Sequence, residues 1–223
     1  MAKVDSVGSA EDVAFCRDIG VSYLGIPVTD ISDLERIRHT VSDDFSDVCY
    51  RFDLREIPED ECVKFCQLRQ PSAVDFVGHF LPKKATCEDL LSKRSKVFFS
   101  NIEASYDTDP SWILSRHHEL LGLENTIFQI DLLEQTEDAW VILRGVVSED
   151  RDELTIADID KITKQQDTFL NLNFTSSNFS EILESFPHTR GVTFSLEQSN
   201  FRRWYTLQQI EDVIRGLSQQ PNQ

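Results

Sequence analysis

Short apolar runs alternate with polar, helix-like segments along the chain. The runs are rich in Val, Ile, Phe and Tyr, and this composition favours β-strands. The candidate strands are Lys3–Val7, Ser22–Val28, Asp47–Asp53, Ala73–Gly78, Lys96–Glu103, Thr126–Leu133, Trp140–Val147, Thr168–Phe174 and Gly191–Leu196.

The segments between these runs carry the start signals of α-helices. A hydroxyl residue can cap the free N–H groups of a first helical turn, and proline lacks one of them. Such residues stand at Ser9, Ser32, Pro58, Thr86, Pro110, Thr155 and Thr206. Because strands alternate with helices, the pattern predicts βαβ units and a parallel sheet.

The number of runs favours an α/β protein built as one (β/α)8 barrel of the TIM type. We expect residues 1–217 to form this single domain and residues 218–223 to be a mobile tail. A doubly wound open sheet is the alternative, but the first turn, SVGSAE, lacks the glycines of a dinucleotide site. The segment from about 103 to 139 holds one helix and the run Thr126–Leu133, which we interpret as an extra strand or hairpin.

Composition and charge limit the partners and the cellular compartment that we expect for this protein. The chain has 223 residues, 40% of them hydrophobic, and a formal net charge of -17. An acidic surface repels nucleic acid and anionic membranes, so neither is expected as a partner. Five scattered cysteines do not form a disulfide framework. Because no run resembles a signal peptide or a membrane span, we expect a cytoplasmic protein.

Two stretches resemble phosphoribosylanthranilate isomerase, a barrel enzyme of tryptophan biosynthesis. Residues 3–26, KVDSVGSAEDVAFCRDIGVSYLGI, are similar to the first strand, first helix and second strand of that family. Residues 190–217, RGVTFSLEQSNFRRWYTLQQIEDVIRGL, are similar to its last strand, substrate loop and closing helix. SAVDFVGHF is a weaker match to its fourth strand. The resemblance implies a barrel fold and an origin in proton-transfer chemistry on a small metabolite.

The functional residues of the family do not carry over. Its catalytic cysteine, a general base at the end of the first strand, corresponds to Asp5. Its general-acid aspartate ends the sixth strand, which we align with Trp140–Val147, so Arg144 or Gly145 takes that place. The loops after the last two strands, NFTSSN and SLEQSN, contain no glycine, although N–H groups need glycine to close around phosphate. We therefore expect no useful isomerisation of phosphoribosylanthranilate.

Barrel enzymes carry their chemistry at the carboxyl ends of the strands. Asp5 and His79 are the candidate catalytic residues there, because a carboxylate and an imidazole can both transfer protons. The candidate substrate-binding residues are polar and lie near strand ends: Arg51, Asp53, Asn101, Arg144, Asn171, Asn173 and Ser195. Arg144 lies in an apolar run and suits a carboxylate or oxyanion, because arginine presents a fixed fork of donors.

Each of these side chains also has a structural interpretation. A buried acid in a strand is usually ion-paired, so Asp5 could instead pair with Arg51 or Arg144. His79 could be a loop histidine bonded to the backbone. Asn171 and Asn173 alternate with apolar residues and could be interior amides with satisfied hydrogen bonds.

The sequence predicts neither a metal nor a cofactor. Cys62 and Cys66 are four residues apart on a predicted helix, which is not the spacing of a zinc or redox site. We predict an enzyme of small-molecule metabolism with isomerase-like or lyase-like acid/base chemistry on a carboxylated or aromatic metabolite. The alternative is a non-catalytic barrel that binds a protein partner or a ligand, and the high acidity favours that role.

Overall fold

A computed structural model describes residues 1–30, 32, 34–41, 44–69, 71–78, 80–92, 95–105, 108–116, 120, 123–132, 154–197 and 204–218. The strands are β1 Ala2–Asp5, β2 Tyr23–Pro27, β3 Val48–Asp53, β4 Ala73–Val77, β5 Lys96–Ala104, β6 Thr126–Leu132, β7 Thr168–Asn171 and β8 Gly191–Ser195. Each strand pairs in parallel with the next, and β8 pairs with β1 to close a barrel. The predicted (β/α)8 architecture is therefore confirmed.

A helix lies between each pair of consecutive strands, and one more follows β8. They are α1 Ala10–Asp18, α2 Leu34–Val41, α3 Glu59–Arg69, α4 Lys84–Ser92, α5 Pro110–Arg116, α6 Ile156–Gln165, α7 Phe179–Ser185 and α8 Leu207–Ser218. Two of the predicted caps are complete capping boxes, formed by Ser9 with Asp12 and by Thr155 with Asp158. None of the described helices is long and apolar enough to cross a membrane.

The predicted assignment of the sixth strand was wrong. Thr126–Leu132, interpreted above as a surplus strand, is the sixth strand of the barrel and pairs with β5 and β7. The position that ends the sixth strand is therefore near Asp131 and not at Arg144. Residues 133–153, which include the candidate strand Trp140–Val147, lie outside the described residues. So does most of the predicted tail, residues 219–223, while Ser218 is the last residue of α8.

Two successive layers of the barrel interior differ in polarity. The layer toward the amino ends of the strands is an apolar cluster of Tyr23, Cys49, Ala73, Phe98, Ile127 and Phe169. Side chains two residues apart on a strand point to the same face. The next layer toward the carboxyl ends therefore contains Gly25, Arg51, Asp75, Ser100, Gln129 and Asn171. The sequence thus places its interior polar groups on the side of the barrel where barrel enzymes hold substrates.

Candidate functional site

Four charged side chains form an ion cluster inside the barrel: Lys3 and Asp5 on β1, Arg51 on β3 and Asp75 on β4. Lys3 Nζ lies 2.6 Å from Asp75 Oδ2 and 3.0 Å from Asp5 Oδ1. Arg51 Nε donates to Asp75 Oδ2 at 3.1 Å, and Arg51 Nη2 lies 3.3 Å from Asp5 Oδ2. Each carboxylate therefore faces two cations, and each cation faces two carboxylates.

Polar side chains complete the coordination of the buried lysine. Lys3 Nζ also donates to Gln129 Oε1 at 3.0 Å and to Ser100 Oγ at 3.2 Å. Burial alone would lower the pKa of Lys3, but the carboxylates of Asp5 and Asp75 outweigh it, and the net pKa is raised. The same balance acts on Asp75: burial would raise its pKa, but Lys3 and Arg51 hold the pKa below its ordinary value. Lys3 and Asp75 therefore stay ionised around neutral pH.

Arg51 connects the ion cluster to the mouth of the barrel. Burial opposes its charge, but Asp5 and Asp75 together raise its pKa, and Asp131 contributes in the same direction. Its Nη1 donates to Ser6 Oγ at 3.4 Å. Arg51 is thus a permanently charged group with a fixed orientation.

Ser6 follows β1 directly and has a backbone φ of 62°. Serine rarely adopts this left-handed conformation, and such strain often marks functional positions. The hydroxyl of Ser6 donates to Glu197 Oε2 at 3.0 Å, beyond the end of β8. A polar chain therefore runs from Asp75 through Arg51 and Ser6 to Glu197 at the surface.

Gly25 leaves the space that the ion pair between β1 and β3 occupies. A Cβ atom at Gly25 would lie 2.4 Å from Asp5 Oδ1 and 2.9 Å from Arg51 Cδ. Any larger residue at this position would push Asp5 and Arg51 apart, so the glycine is a requirement of the cluster.

A cavity of about 380 Å³ opens at the carboxyl ends of the strands, above this cluster. Ser6 and Arg51 contribute to its wall, and Arg55 does so close to Asp53. The described lining also includes the acids Glu56, Glu103 and Glu197. A volume of this size fits a small metabolite. We call this part of the mouth the open side.

The loop after β7 differs, because its backbone is bonded internally. The N–H of Phe174 donates to Tyr205 Oη at 2.6 Å, and that hydroxyl donates to the carbonyl of Leu172 at 2.6 Å. The N–H of Thr175 donates to Asn178 Oδ1 at 2.8 Å. Tyr205 is buried and packs edge-on against Phe194 of β8, with ring centroids 5.1 Å apart.

The described part of the loop after β8 is bonded in the same way. The N–H of Leu196 donates to the carbonyl of Asp5 at 3.1 Å, and the N–H of Glu197 donates to Ser195 Oγ at 3.2 Å. We call the ends of β7 and β8 the closed side. Barrel enzymes frequently bind phosphate at this position through free backbone N–H groups. Here those described amides already have protein partners.

Two polar side chains lie next to each other at the ends of β6 and β7. Asp131 and Asn171 are Cα partners in the strand register, and both are buried. Asp131 Oδ1 accepts a hydrogen bond from Gln129 Nε2 at 2.8 Å. Asn171 Oδ1 is buried without a hydrogen-bond partner.

The predicted site residues lie in different parts of the structure: in the barrel interior, at its mouth and in a loop. The expected pairing of Asp5 with Arg51 is present. Asp53 lies at the mouth and pairs with Arg55. Asn171 faces the interior, but β7 ends there, so Asn173 belongs to the following loop and its carbonyl accepts from Asn178 Nδ2.

The other four candidate site residues are Ser195, Asn101, His79 and Arg144. Ser195 ends β8, where its Oγ accepts from the N–H of Glu197. Asn101 lies within β5, and the structure does not describe its side chain. His79 and Arg144 lie outside the described residues, so their roles stay predictions.

Sequence reasoning missed most of the interior network, namely Lys3, Ser6, Asp75, Ser100, Gln129, Asp131 and Thr193. One signal could have identified several of them. Polar residues that recur two positions after apolar interior residues, such as Asp75 after Ala73, mark a second interior layer.

Comparisons with known proteins identify the fold. No protein-family model matches the sequence, and no curated protein matches it either. N-(5'-phosphoribosyl)anthranilate isomerase from Pyrococcus furiosus is 13% identical, with a TM-score of 0.65 over 98% of both chains. A phosphoribosylanthranilate isomerase in complex with reduced 1-(o-carboxyphenylamino)-1-deoxyribulose 5-phosphate is 13% identical, with a TM-score of 0.63 over 97% of both chains.

A third solved structure is that of an enzyme with a different name and reaction. Type I 3-dehydroquinate dehydratase from Clostridium difficile is 13% identical, with a TM-score of 0.62 over 99% of this chain and 93% of its own. These similarities confirm the fold that the sequence resemblance implied. The chain has the phosphoribosylanthranilate-isomerase-like TIM-barrel fold, on which more than one chemistry is carried out.

Proposed function

We propose that this protein is an enzyme of small-molecule metabolism that performs acid/base chemistry on a small carboxylated metabolite without a phosphate group. The substrate binds in the cavity of the open side, with its carboxylate on Arg51. One observation carries the proposal. Arg51 lines the cavity, and its ion pairs with Asp5 and Asp75 fix the charge and the orientation of its guanidinium group. A preorganised guanidinium suits a carboxylate or an enolate-like oxyanion.

The closed side supports a substrate without phosphate. A phosphate group needs several free N–H donors, and those of Phe174, Thr175, Leu196 and Glu197 donate to protein atoms. The isomerase with the same fold was solved with a ligand that carries both a carboxyl group and a phosphate. In our proposal the carboxylate is the part of such a ligand that this chain still recognises.

Proton transfer is proposed for Asp131 and His79. The resemblance assigns a general acid to the end of the sixth strand, where Asp131 lies in this chain. Asp131 is buried, and its Oδ1 accepts a hydrogen bond from Gln129 Nε2. His79 follows β4 closely in sequence and stays the proposed partner. Asp5, held by Lys3 and Arg51, acts here as a positioning residue for Arg51.

Lys3 is not proposed as a Schiff-base nucleophile. Such a lysine must lose its proton to attack a carbonyl, and enzymes achieve this by lowering its pKa. The pKa of Lys3 is raised instead by Asp5 and Asp75, against the effect of burial. Its side chain is also fully buried, away from the cavity.

Proton exchange tests the proposal. Small carboxylic acids are incubated with the protein in D₂O, and NMR follows the loss of their C–H signals. We expect catalysed exchange for at least one acid, and we expect Arg51→Met and Asp131→Asn to abolish it. Arg17→Met is the matched control, because Arg17 is also ion-paired, to Asp47, but lies outside the cavity lining. If no acid exchanges and none binds, the proposal is wrong.

A second candidate function is a non-catalytic barrel that binds a ligand or a protein partner. The observation that favours it is the double ion pairing of Asp5, which occupies the place of the family's general base. In that role the Asp5 carboxylate holds Lys3 and Arg51 in place. Binding of a carboxylic acid without any proton exchange would support this second function over the first.

A further inference from the structure

A β-bulge interrupts β5 shortly before its carboxyl end. The register between β5 and β6 shifts between Phe99 and Ile102, so Ser100 and Asn101 stand opposite the single residue Gln129 of β6. An extra residue of this kind reverses the alternation of inward and outward side chains along the rest of the strand. Bulges are common next to active sites, where they change the direction of a side chain.

The side chains before and after the bulge show this reversal. Before it, Phe98 lies in the inner apolar layer, and the Ser100 hydroxyl accepts from Lys3 inside the barrel. After it, Ile102 is buried in the large hydrophobic core that the strands share with the helices, and Glu103 lines the cavity of the open side. Without the bulge, Ile102 would face the cavity and Glu103 would enter the hydrophobic core, where a carboxylate is very unfavourable.

Glu103 differs from two other acids of the cavity wall. It is half-buried and lies within β5. Glu56 and Glu197 are exposed and lie beyond the ends of β3 and β8, and Glu197 accepts a hydrogen bond from Ser6. A general base must be held precisely in reach of the proton that it removes, and a strand holds a side chain more precisely than a loop does. Glu103 therefore meets this requirement best.

Glu103 shares the cavity with the proposed carboxylate-binding group. Arg51 on β3 and Glu103 on β5 line it from two strands that are separated only by β4. Asp131 is the Cα partner of Glu103 on β6, but it is not among the described residues that line the cavity. Of these two neighbouring acids, Glu103 is the one that a substrate in the cavity can touch.

We propose that Glu103 is the catalytic residue that removes and returns a proton at the carbon next to the carboxylate of the substrate. This inference rests on the proposed function, because it assigns the proton acceptor in the same cavity. The C–H bond breaks, and the proton moves to a carboxylate oxygen of Glu103. The electron pair moves onto the carboxylate oxygens of the substrate, which Arg51 holds. Return of the proton from Glu103 to the same carbon restores both groups.

Proton exchange and binding, measured on the same variants, test this assignment. Phenylacetate, lactate and malate are the probes, because each has a C–H bond next to a carboxylate. Exchange in D₂O is followed by NMR, and binding is followed by isothermal titration calorimetry. We expect Glu103→Gln to slow the exchange at least about a hundredfold and to leave the dissociation constant unchanged.

Two further variants complete the test. Glu103→Asp keeps the carboxylate on a shorter side chain, so it should exchange faster than Glu103→Gln and more slowly than the native protein. Glu88→Gln is the matched control, because Glu88 is an exposed acid of α4 outside the described cavity lining. It should change neither exchange nor binding.

The outcomes separate this inference from the proposed function. Undiminished exchange by Glu103→Gln would overturn the inference and leave the proposed acid/base chemistry standing. Loss of binding together with exchange, or a fall in melting temperature as large as that of Asp75→Asn, would show a structural role for Glu103 and would also overturn it. If the native protein exchanges none of the three acids, the inference and the proposed chemistry are both wrong.

Discussion

The open and closed sides of the barrel mouth differ in what their polar groups already bind. On the open side Arg51 is nearly buried and ion-paired, yet it still lines a cavity. On the closed side Tyr205 and Asn178 accept hydrogen bonds from the backbone N–H groups of Phe174 and Thr175, in the loop after β7. The comparison teaches that two parts of one barrel mouth can differ: the open side has a charged side chain in a cavity wall, whereas four described amides of the closed side already have protein partners. Conclusions from fold similarity therefore have to be drawn separately for each half.

The largest expected effect on stability comes from the ion cluster that lies below the cavity of the open side. Asp75→Asn removes the carboxylate that Lys3, Arg51 and Ser100 share, and it leaves two buried cations with one carboxylate fewer. We expect a loss of roughly 4 kcal/mol in the free energy of unfolding, measured with urea. Asp60→Asn is the control, because its ion pair with Lys64 is exposed, and we expect no measurable change. Equal stability of Asp75→Asn and the native protein would show that the Asp75 carboxylate does not stabilise the buried cations.

Asp5→Asn should have the next largest effect. It breaks contacts of 3.0 Å to Lys3 and 3.3 Å to Arg51, both longer than the contact of 2.6 Å between Lys3 and Asp75. We expect a loss of about 3 kcal/mol in the same urea experiment. A purely catalytic acid would behave differently, since its replacement would abolish turnover and leave stability nearly unchanged.

Tyr205→Phe probes the closed side and should have a smaller effect. The variant keeps the packing against Phe194 but removes the hydroxyl that bridges Leu172 and Phe174. Because both backbone groups lose a partner, we expect a loss of about 2 kcal/mol, measured by thermal unfolding. Tyr23→Phe is the control: its hydroxyl, in the amino-end layer, accepts from Lys96 on a partly exposed contact, so its loss should matter less. A larger loss in the control would contradict the importance of the bridge.

Much of the fold could be predicted from the sequence, because apolar runs alternate with segments that begin with recognisable helix-capping residues. Ser9 and Thr155 form the capping boxes that their spacing to Asp12 and Asp158 favours. The sixth strand was assigned wrongly because Thr126–Leu133 and Trp140–Val147 are both apolar runs of the same kind. Periodicity alone cannot decide which of two such runs enters a barrel.

The candidate site could be predicted only in part. The cost of an unpaired buried acid predicted an ion pair of Asp5 with Arg51 or Arg144, and the contact with Arg51 is present. Asp75 was passed over because one polar residue in an apolar run shows no partner until the strand register is known. The bridge made by Tyr205 joins residues more than thirty positions apart, and no local pattern announces it.

The smallest expected effect is the response of the ion cluster to pH near neutrality. Asp75 has a lowered pKa, so its contribution to stability is present above its unfolded value of about 3.9 and is lost as pH falls further. Lys3 has a raised pKa, so its contribution is present below about 10.4 and is lost at higher pH.

Urea unfolding of the native protein and of Asp75→Asn at a series of pH values measures this response. We expect the difference between the two to be constant from about pH 5 to pH 9 and to shrink in acid. A steep change between pH 6 and pH 8 would mean that a group of the cluster titrates there, and the proton carrier would then have to be sought within the cluster.

The central claim is that a carboxylate binds on the open side and that phosphate does not bind on the closed side. NMR titrations of the ¹⁵N-labelled protein with propionate and with inorganic phosphate test it most directly. We expect propionate to shift the signals of Arg51 Nε–H and the Ser6 amide saturably, and phosphate to leave the Phe174 and Thr175 amides unchanged. Saturable shifts of those two amides by phosphate, with Arg51 unaffected by propionate, would contradict the account.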